Sequence, residues 1–275
     1  MPDFLSSAAT SIHYEVSGEG PFLVFLHGWS QSGSVWRALV RSLSPRYRCL
    51  VSDLRGHGLS ASPGDGYAME NLVADLAGLL DHFDMRDVTV IGWSLGAMVA
   101  LAAFPALRER LSSLVLVSGT AKFTSEPGYP CALSPREPRV LGHRLQRDSE
   151  KAREEFFRGM FTSGERSSTD HARIEEEFFT VAPKPSRHGA ARSLETLATA
   201  DLRAGLDAVD IPVILVHGSD DSICPVGSSR FMAERLPNAT LKVLDGAGHA
   251  PMLTRAAELG EILTTFLGKV YEGNR

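Results

Sequence analysis

Four nearly unbroken apolar runs constrain this chain most: Phe22-Leu-Val-Phe-Leu26, Val88-Thr-Val-Ile91, Leu114-Val-Leu-Val117 and Val213-Ile-Leu-Val216. A strand with one wet face alternates apolar and polar residues. A short β-branched run without alternation fits a strand covered on both faces, as in a parallel sheet between helix layers. Arg48-Cys-Leu-Val-Ser52 is a weaker member of the set, and residues 241–244 also read as a strand. Helical patterns lie between the runs. In residues 69–83, Leu72, Leu76, Leu79, Leu80 and Phe83 fall on one apolar stripe. Strands alternating with helices imply right-handed crossovers and an α/β fold. Residues 4–7 and 11–17 read instead as an antiparallel hairpin on the sheet edge, ended by Gly18-Glu-Gly20.

Residues 119–206 interrupt the alternation. They open with a turn-rich stretch holding Pro127, Pro130, Pro135 and Pro138, and continue with helical patterns. Leu141, Leu145, Ala152 and Phe156 share a face, Ile174 and Phe178 pair at i+4, and Leu194, Leu197 and Ala198 form a further stripe. The expected organisation is a core of residues 1–118 and 207–275 with a helical cap, residues 119–206, inserted between two strands.

Composition narrows the function. The 28 basic and 33 acidic residues leave a net charge of −5, which gives no general attraction to nucleic acid. No apolar run is long enough to span a bilayer, and Met1-Pro2-Asp3-Phe4 does not begin a secretory signal. The 3 cysteines, Cys49, Cys131 and Cys224, are scattered with no metal spacing. Together these favour a cytoplasmic protein needing neither metal nor cofactor.

The chemistry sits in Gly92-Trp-Ser-Leu-Gly96, between the run ending at Ile91 and a helix rich in small residues. Glycines two positions either side of a serine let the backbone turn sharply and leave the hydroxyl accessible. Chance alone gives G-x-S-x-G in roughly one such chain in four or five, so the strand–turn–helix setting carries the weight. A serine nucleophile needs a base, and the base an orienting carboxylate. For this turn the chain order is Ser, then Asp or Glu, then His. His217-Gly-Ser-Asp-Asp221 closes one apolar run, and Gly246-Ala-Gly-His249-Ala-Pro251 follows residues 241–244. Ser94, Asp221 and His249 are the expected triad. Spacing to Gly218 and Pro225 favours Asp221 over Asp220. The expected oxyanion donors are the N–H groups of Leu95 and of Trp29, in the loop His27-Gly28-Trp29. His27, Asp53, Arg55 and His57 read as loop-fixing residues, and Cys224 as packing.

With these motifs and Asp53-Leu-Arg-Gly-His-Gly-Leu-Ser60, the whole chain resembles an α/β-hydrolase. Within that superfamily it is most similar to the pimeloyl-acyl-carrier-protein methyl ester esterases, the biotin-pathway carboxylesterases. The pointers are Gly-Trp-Ser-Leu-Gly, His-Gly-Trp and Leu194-Glu-Thr-Leu-Ala-Thr-Ala-Asp-Leu-Arg203. The resemblance implies a small-molecule ester substrate, a cap that closes over the acyl site, and substrate contacts from Trp29, Phe156 and Met160. It also implies an acyl-carrier-protein partner met by cap arginines. Here Glu155 directly precedes Phe156, and residues 136–158 hold seven basic and five acidic residues, so a mixed, solvated face is the reading of that surface. The same triad on a thioester, C–C bond or peroxide substrate, or a non-catalytic ligand-binding role on this scaffold, are the alternatives.

Overall fold

The computed structural model describes residues 3–6 and 10–272. Its strands are β1 (Asp3–Leu5), β2 (Ser11–Ser17), β3 (Phe22–Leu26), β4 (Arg48–Ser52), β5 (Val88–Trp93), β6 (Leu111–Val117), β7 (Val213–Gly218) and β8 (Ala239–Leu244). They form one sheet in the order β1-β2-β4-β3-β5-β6-β7-β8. β1 pairs with β2, and β2 with β4, antiparallel. Every later neighbour is parallel. The edge hairpin is therefore present, although its expected residue Ser7 lies outside the described residues.

The unbroken runs bury both faces. Val24, Leu26, Val90, Leu114, Leu116, Val213 and Leu215 pack into one core. Leu23, Phe25, Ile91, Val115, Val117, Ile214 and Val216 pack into the other. The first core takes helices α2 (Met69–His82) and α3 (Leu95–Leu107), and the second takes α1 (Arg37–Leu43) and α11 (Ala256–Glu272). Each such aliphatic side chain, fully buried, contributes about 1.5–3 kcal/mol. The parallel strands then deliver their C-terminal ends, and the loops after them, to one edge of the sheet, where this class of fold places ligands.

Between β6 and β7 run α4 (Arg136–Arg147), α5 (Ser149–Gly159), α6 (Ser163–Arg166), α7 (His171–Glu175), a π-helical segment Glu176–Val181 and α8 (Arg187–Thr199). Short helices α9 (Gly227–Ala233) and α10 (Pro251–Thr254) follow β7 and β8. The expected common face of Leu141, Leu145, Ala152 and Phe156 needs a correction. Asp148 is extended (φ −147, ψ 93) and its side chain accepts the Lys151 N–H at 3.0 Å, ending α4 and starting α5. Capping won over the apolar stripe, and the four residues reach the same core from two helices.

Candidate active site

β5 delivers Ser94 into a turn that few residues tolerate. Its φ is 54 and its ψ −112, and α3 starts at the next residue, Leu95. Such a conformation in a non-glycine residue costs about 1–3 kcal/mol and persists only when its surroundings impose it. Here Ser94 N donates to Val117 O at 3.0 Å, and Ser94 O accepts from Ala97 N at 3.0 Å and Met98 N at 3.1 Å. The flanking glycines are obligatory. A Cβ on Gly92 would lie 2.3 Å from Gly96 O, and one on Gly96 would lie 2.3 Å from Leu26 O.

The loops after β7 and β8 bring Asp221 and His249 together. Asp221 Oδ2 accepts from His249 Nδ1 at 2.7 Å, and Oδ1 accepts the N–H groups of Ile223 and Cys224, each at 2.8 Å. Asp220 is exposed in the turn. A fourth polar contact comes from His217, to which the sequence reading gave no role. Its Nε2 lies 3.1 Å from Asp221 Oδ2 and 2.6 Å from Cys224 O. Both partners are acceptors, so Nε2 carries the proton, and Nδ1 faces Ser229 Oγ at 2.7 Å. Burial, the largest influence, pushes the Asp221 carboxyl up, but the His249 charge and the two histidine hydrogen bonds outweigh it and hold it well below the usual carboxylate range.

The His249 backbone is held from both sides. Its N–H donates to Met160 O at 2.7 Å, and its carbonyl accepts from Trp93 Nε1 at 2.8 Å. The Trp93 and His249 rings lie 5.4 Å apart, which sets the His249 loop beside the Ser94 turn. Glu165, only 8% exposed, adds a clamp from the segment between β6 and β7. Its Oε2 accepts Thr162 N–H at 2.8 Å and Gly248 N–H at 3.1 Å, and its Oε1 accepts from Thr254 Oγ1 at 2.6 Å. Sequence reasoning missed Glu165. Thr162-Ser-Gly-Glu165 spells a capping box, but nothing local shows the reach to Gly248.

The loop after β3 is keyed by His27. Leu54 N–H donates to Nε2 at 2.9 Å, so Nδ1 carries the proton and donates to Gly28 O at 2.7 Å. Burial lowers this ring to about 4, against a smaller opposing effect of the Gly28 bond. It also lowers its neighbour His57, 5.3 Å away, to about 3. Asp53 ties the same region by accepting Gly33 N–H and Leu59 N–H, while Arg55 is locked bidentately on Asp75 with both bonds at 2.6 Å. These are the loop-fixing roles expected. Trp29 and Phe156 meet edge to face at 4.7 Å, and Trp29 Nε1 donates to Ala190 O at 2.9 Å. Met160 is buried and touches the site through its carbonyl. Burial, then the Asp221 charge, raise the Cys224 thiol, with a smaller opposing effect from Ser94, so it is a neutral packed thiol. Among the described residues no group of three His, Cys, Asp or Glu side chains could hold a metal ion.

This arrangement presents a serine on a strained turn, next in the chain to Trp93, whose ring lies 5.4 Å from that of the buried, carboxylate-bonded His249. Residues 21–256 match the family model of the alpha/beta hydrolase fold. The chain belongs to that family. Among curated relatives, the pimeloyl-[acyl-carrier protein] methyl ester esterase of Nitrosomonas europaea is 34% identical over 89% of this chain and 94% of its own length. That of Aeromonas hydrophila is 31% identical over 94% of this chain and 100% of its own. Of solved structures, an esterase from Exiguobacterium antarcticum matches with a TM-score of 0.89 at 25% identity, covering 96% of this chain and 98% of that one. A bromoperoxidase from Bacillus anthracis matches with a TM-score of 0.88 at 26% identity, covering 97% and 99%. Ester hydrolysis is therefore the activity class that the relatives named as esterases bring. No helix among the described residues is long and apolar enough to cross a membrane.

Proposed function

We propose that the protein is a serine carboxylic-ester hydrolase working through an acyl-enzyme. The observation that carries this is the buried Asp221–His249 hydrogen bond, on a loop that Trp93 ties to the turn holding Ser94 at positive φ. Ser94 Oγ attacks the ester carbonyl while His249 Nε2 takes its proton, and Asp221 fixes the ring so that Nε2 faces the nucleophile. The N–H groups of Leu95 and Trp29 receive the developing oxyanion, each worth about 10²–10³ in kcat. His249 then protonates the leaving alcohol, and water repeats the sequence on the acyl-enzyme. In this reading residues 119–206 are a cap over the acyl site, with Trp29, Phe156 and Met160 against the acyl group.

The curated relatives point to a methyl ester of a pimeloyl-type acid as substrate and to the biotin pathway as its setting. Their names also bring an acyl-carrier protein. Against that partner, cap arginines are met by acids of this chain: Arg144 by Glu155 at 3.1 Å, and Arg158 by Glu154 at 2.9 Å and Glu175 at 3.1 Å. We place the enzyme in the cytoplasm, where its free cysteines stay reduced. The test is an ester panel varying acyl length and alcohol size, with and without acyl-carrier protein. Turnover of short methyl esters of medium-chain acids is expected. Turnover of long-chain esters alone would rule out the biotin-pathway reading. A second reading, perhydrolysis with hydrogen peroxide replacing water, is favoured by the likeness to the bromoperoxidase, and peracid formation in the same panel would show it.

A further inference from the structure

Arg153, Phe156, Phe157 and Met160 fall at i, i+3, i+4 and i+7 along α5 and its C-terminal cap, one helix face. Phe156 lies edge-on to Trp29, and the Met160 carbonyl holds the His249 amide. The face that begins with Arg153 therefore meets the Trp29 loop and the His249 loop. Arg153 is only 5% exposed, and its Nε is closed to solvent with no hydrogen-bond partner. The acids on its own helix make their ion pairs with other side chains, Glu150 with Lys184 at 3.1 Å, Glu154 with Arg158 at 2.9 Å and Glu155 with Arg144 at 3.1 Å, and only the Glu150 charge reaches Arg153 from among them. What the guanidinium touches is the ring of Phe179, 5.8 Å from its centroid.

His57 lies within reach of the Arg153 charge. Its Nδ1 donates to Arg55 O at 3.1 Å, so the neutral ring leaves Nε2 as a bare acceptor, and that atom too is buried without a partner. The Arg153 charge is one of the influences that keep this ring neutral, after burial and His27, so the two side chains share one field. A buried guanidinium N–H without an acceptor is costly, and one that the surrounding protein leaves unmet marks a place that a ligand can complete. Arg presents a planar fork suited to a carboxylate.

We propose that Arg153 anchors a negatively charged group of the substrate, and that the preferred ester carries a free carboxylate on its acyl part, as the monoester of a dicarboxylic acid does. His57 Nε2 accepts from a water or hydroxyl brought in with that carboxylate. This rests on the ester-hydrolase reading of Ser94 and sharpens it. A neutral or thioester-linked acyl chain leaves the Arg153 Nε without an acceptor, so free half-esters are the better substrates.

The experiment compares kcat/KM for monomethyl esters of straight C4–C9 dicarboxylic acids with methyl alkanoates of the same lengths. At the best length, the wild-type protein is expected to favour the half-ester by about 10- to 100-fold, mostly through KM, the usual worth of one charge-assisted contact. Arg153→Met should bring that ratio close to one, and Arg153→Lys should keep part of it. A wild-type ratio near one at every length, or a ratio unchanged by Arg153→Met, overturns the proposal. If neither ester class is hydrolysed, the ester-hydrolase reading has failed instead. Calorimetry of the matching dicarboxylates on Ser94→Ala protein then decides the subsite. Affinity weakened at least about 10-fold by Arg153→Met supports it, and equal affinity refutes it.

Discussion

Glu165→Ala should damage catalysis from a residue that touches no substrate. The change removes one carboxylate that accepts from three donors, at 2.8, 3.1 and 2.6 Å. Bonds to a charged acceptor are worth about 1.5–3 kcal/mol each when their donors are left unmet. The three share one side chain and are not additive, so the expected loss is roughly 3–5 kcal/mol. At about 2–3 °C per kcal/mol for a chain of this size, unfolding should fall by roughly 6–15 °C. The Gly248 amide adjoins His249, and misplacing a catalytic group by about 1 Å costs about 10²-fold. Hydrolysis of p-nitrophenyl acetate, measured well below the variant's unfolding temperature, should show kcat lowered about 10- to 100-fold with KM moved much less. Thr162→Ala is the control. It deletes the capping hydroxyl, costs about 1 kcal/mol, and leaves the Gly248 and Thr254 bonds in place, so kcat should hold. Full kcat in Glu165→Ala, or equal kcat losses in both variants, would refute the reasoning.

Two further outcomes follow from the fold. His27 and His57 are held neutral to about 4 and about 3, against about 6.5 in an unfolded chain. The unfolded chain therefore binds more protons as pH falls, and stability present above about pH 6.5 is lost below it, by about 2 kcal/mol per ring at pH 5. Urea unfolding at pH 7.5 and pH 5 should differ by about 4 kcal/mol from this source, and a flat profile would contradict it. Gly96→Ala would drive a Cβ to 2.3 Å from Leu26 O, so it should give little folded protein on expression, and a folded, active variant would contradict the geometry of the turn.

The parallel sheet was legible because runs such as Val213-Ile-Leu-Val216 have no alternation, and they turn out to feed both cores. The strand–turn–helix setting of Ser94 was legible because it is set by spacing within a few residues of a strand end, and Asp221, not the exposed Asp220, is the carboxylate that meets His249. Glu165, His217 and Arg153 were not legible. Glu165 acts on Gly248 across 83 residues, and Arg153 stands out only through a buried Nε with no acceptor, which no local pattern encodes. The break at Asp148 was missed because the apolar stripe of α4 and α5 keeps its phase across a capping residue that the stripe alone cannot show.

The central claim is that Ser94 becomes acylated. Stopped-flow mixing of the protein with p-nitrophenyl acetate tests it, with mass spectrometry of the quenched protein. The account predicts a p-nitrophenol burst matching the enzyme concentration and an acetyl group on the Ser94 peptide, both absent in Ser94→Ala. A burst that survives that substitution, or acetyl carried on another residue, would contradict it.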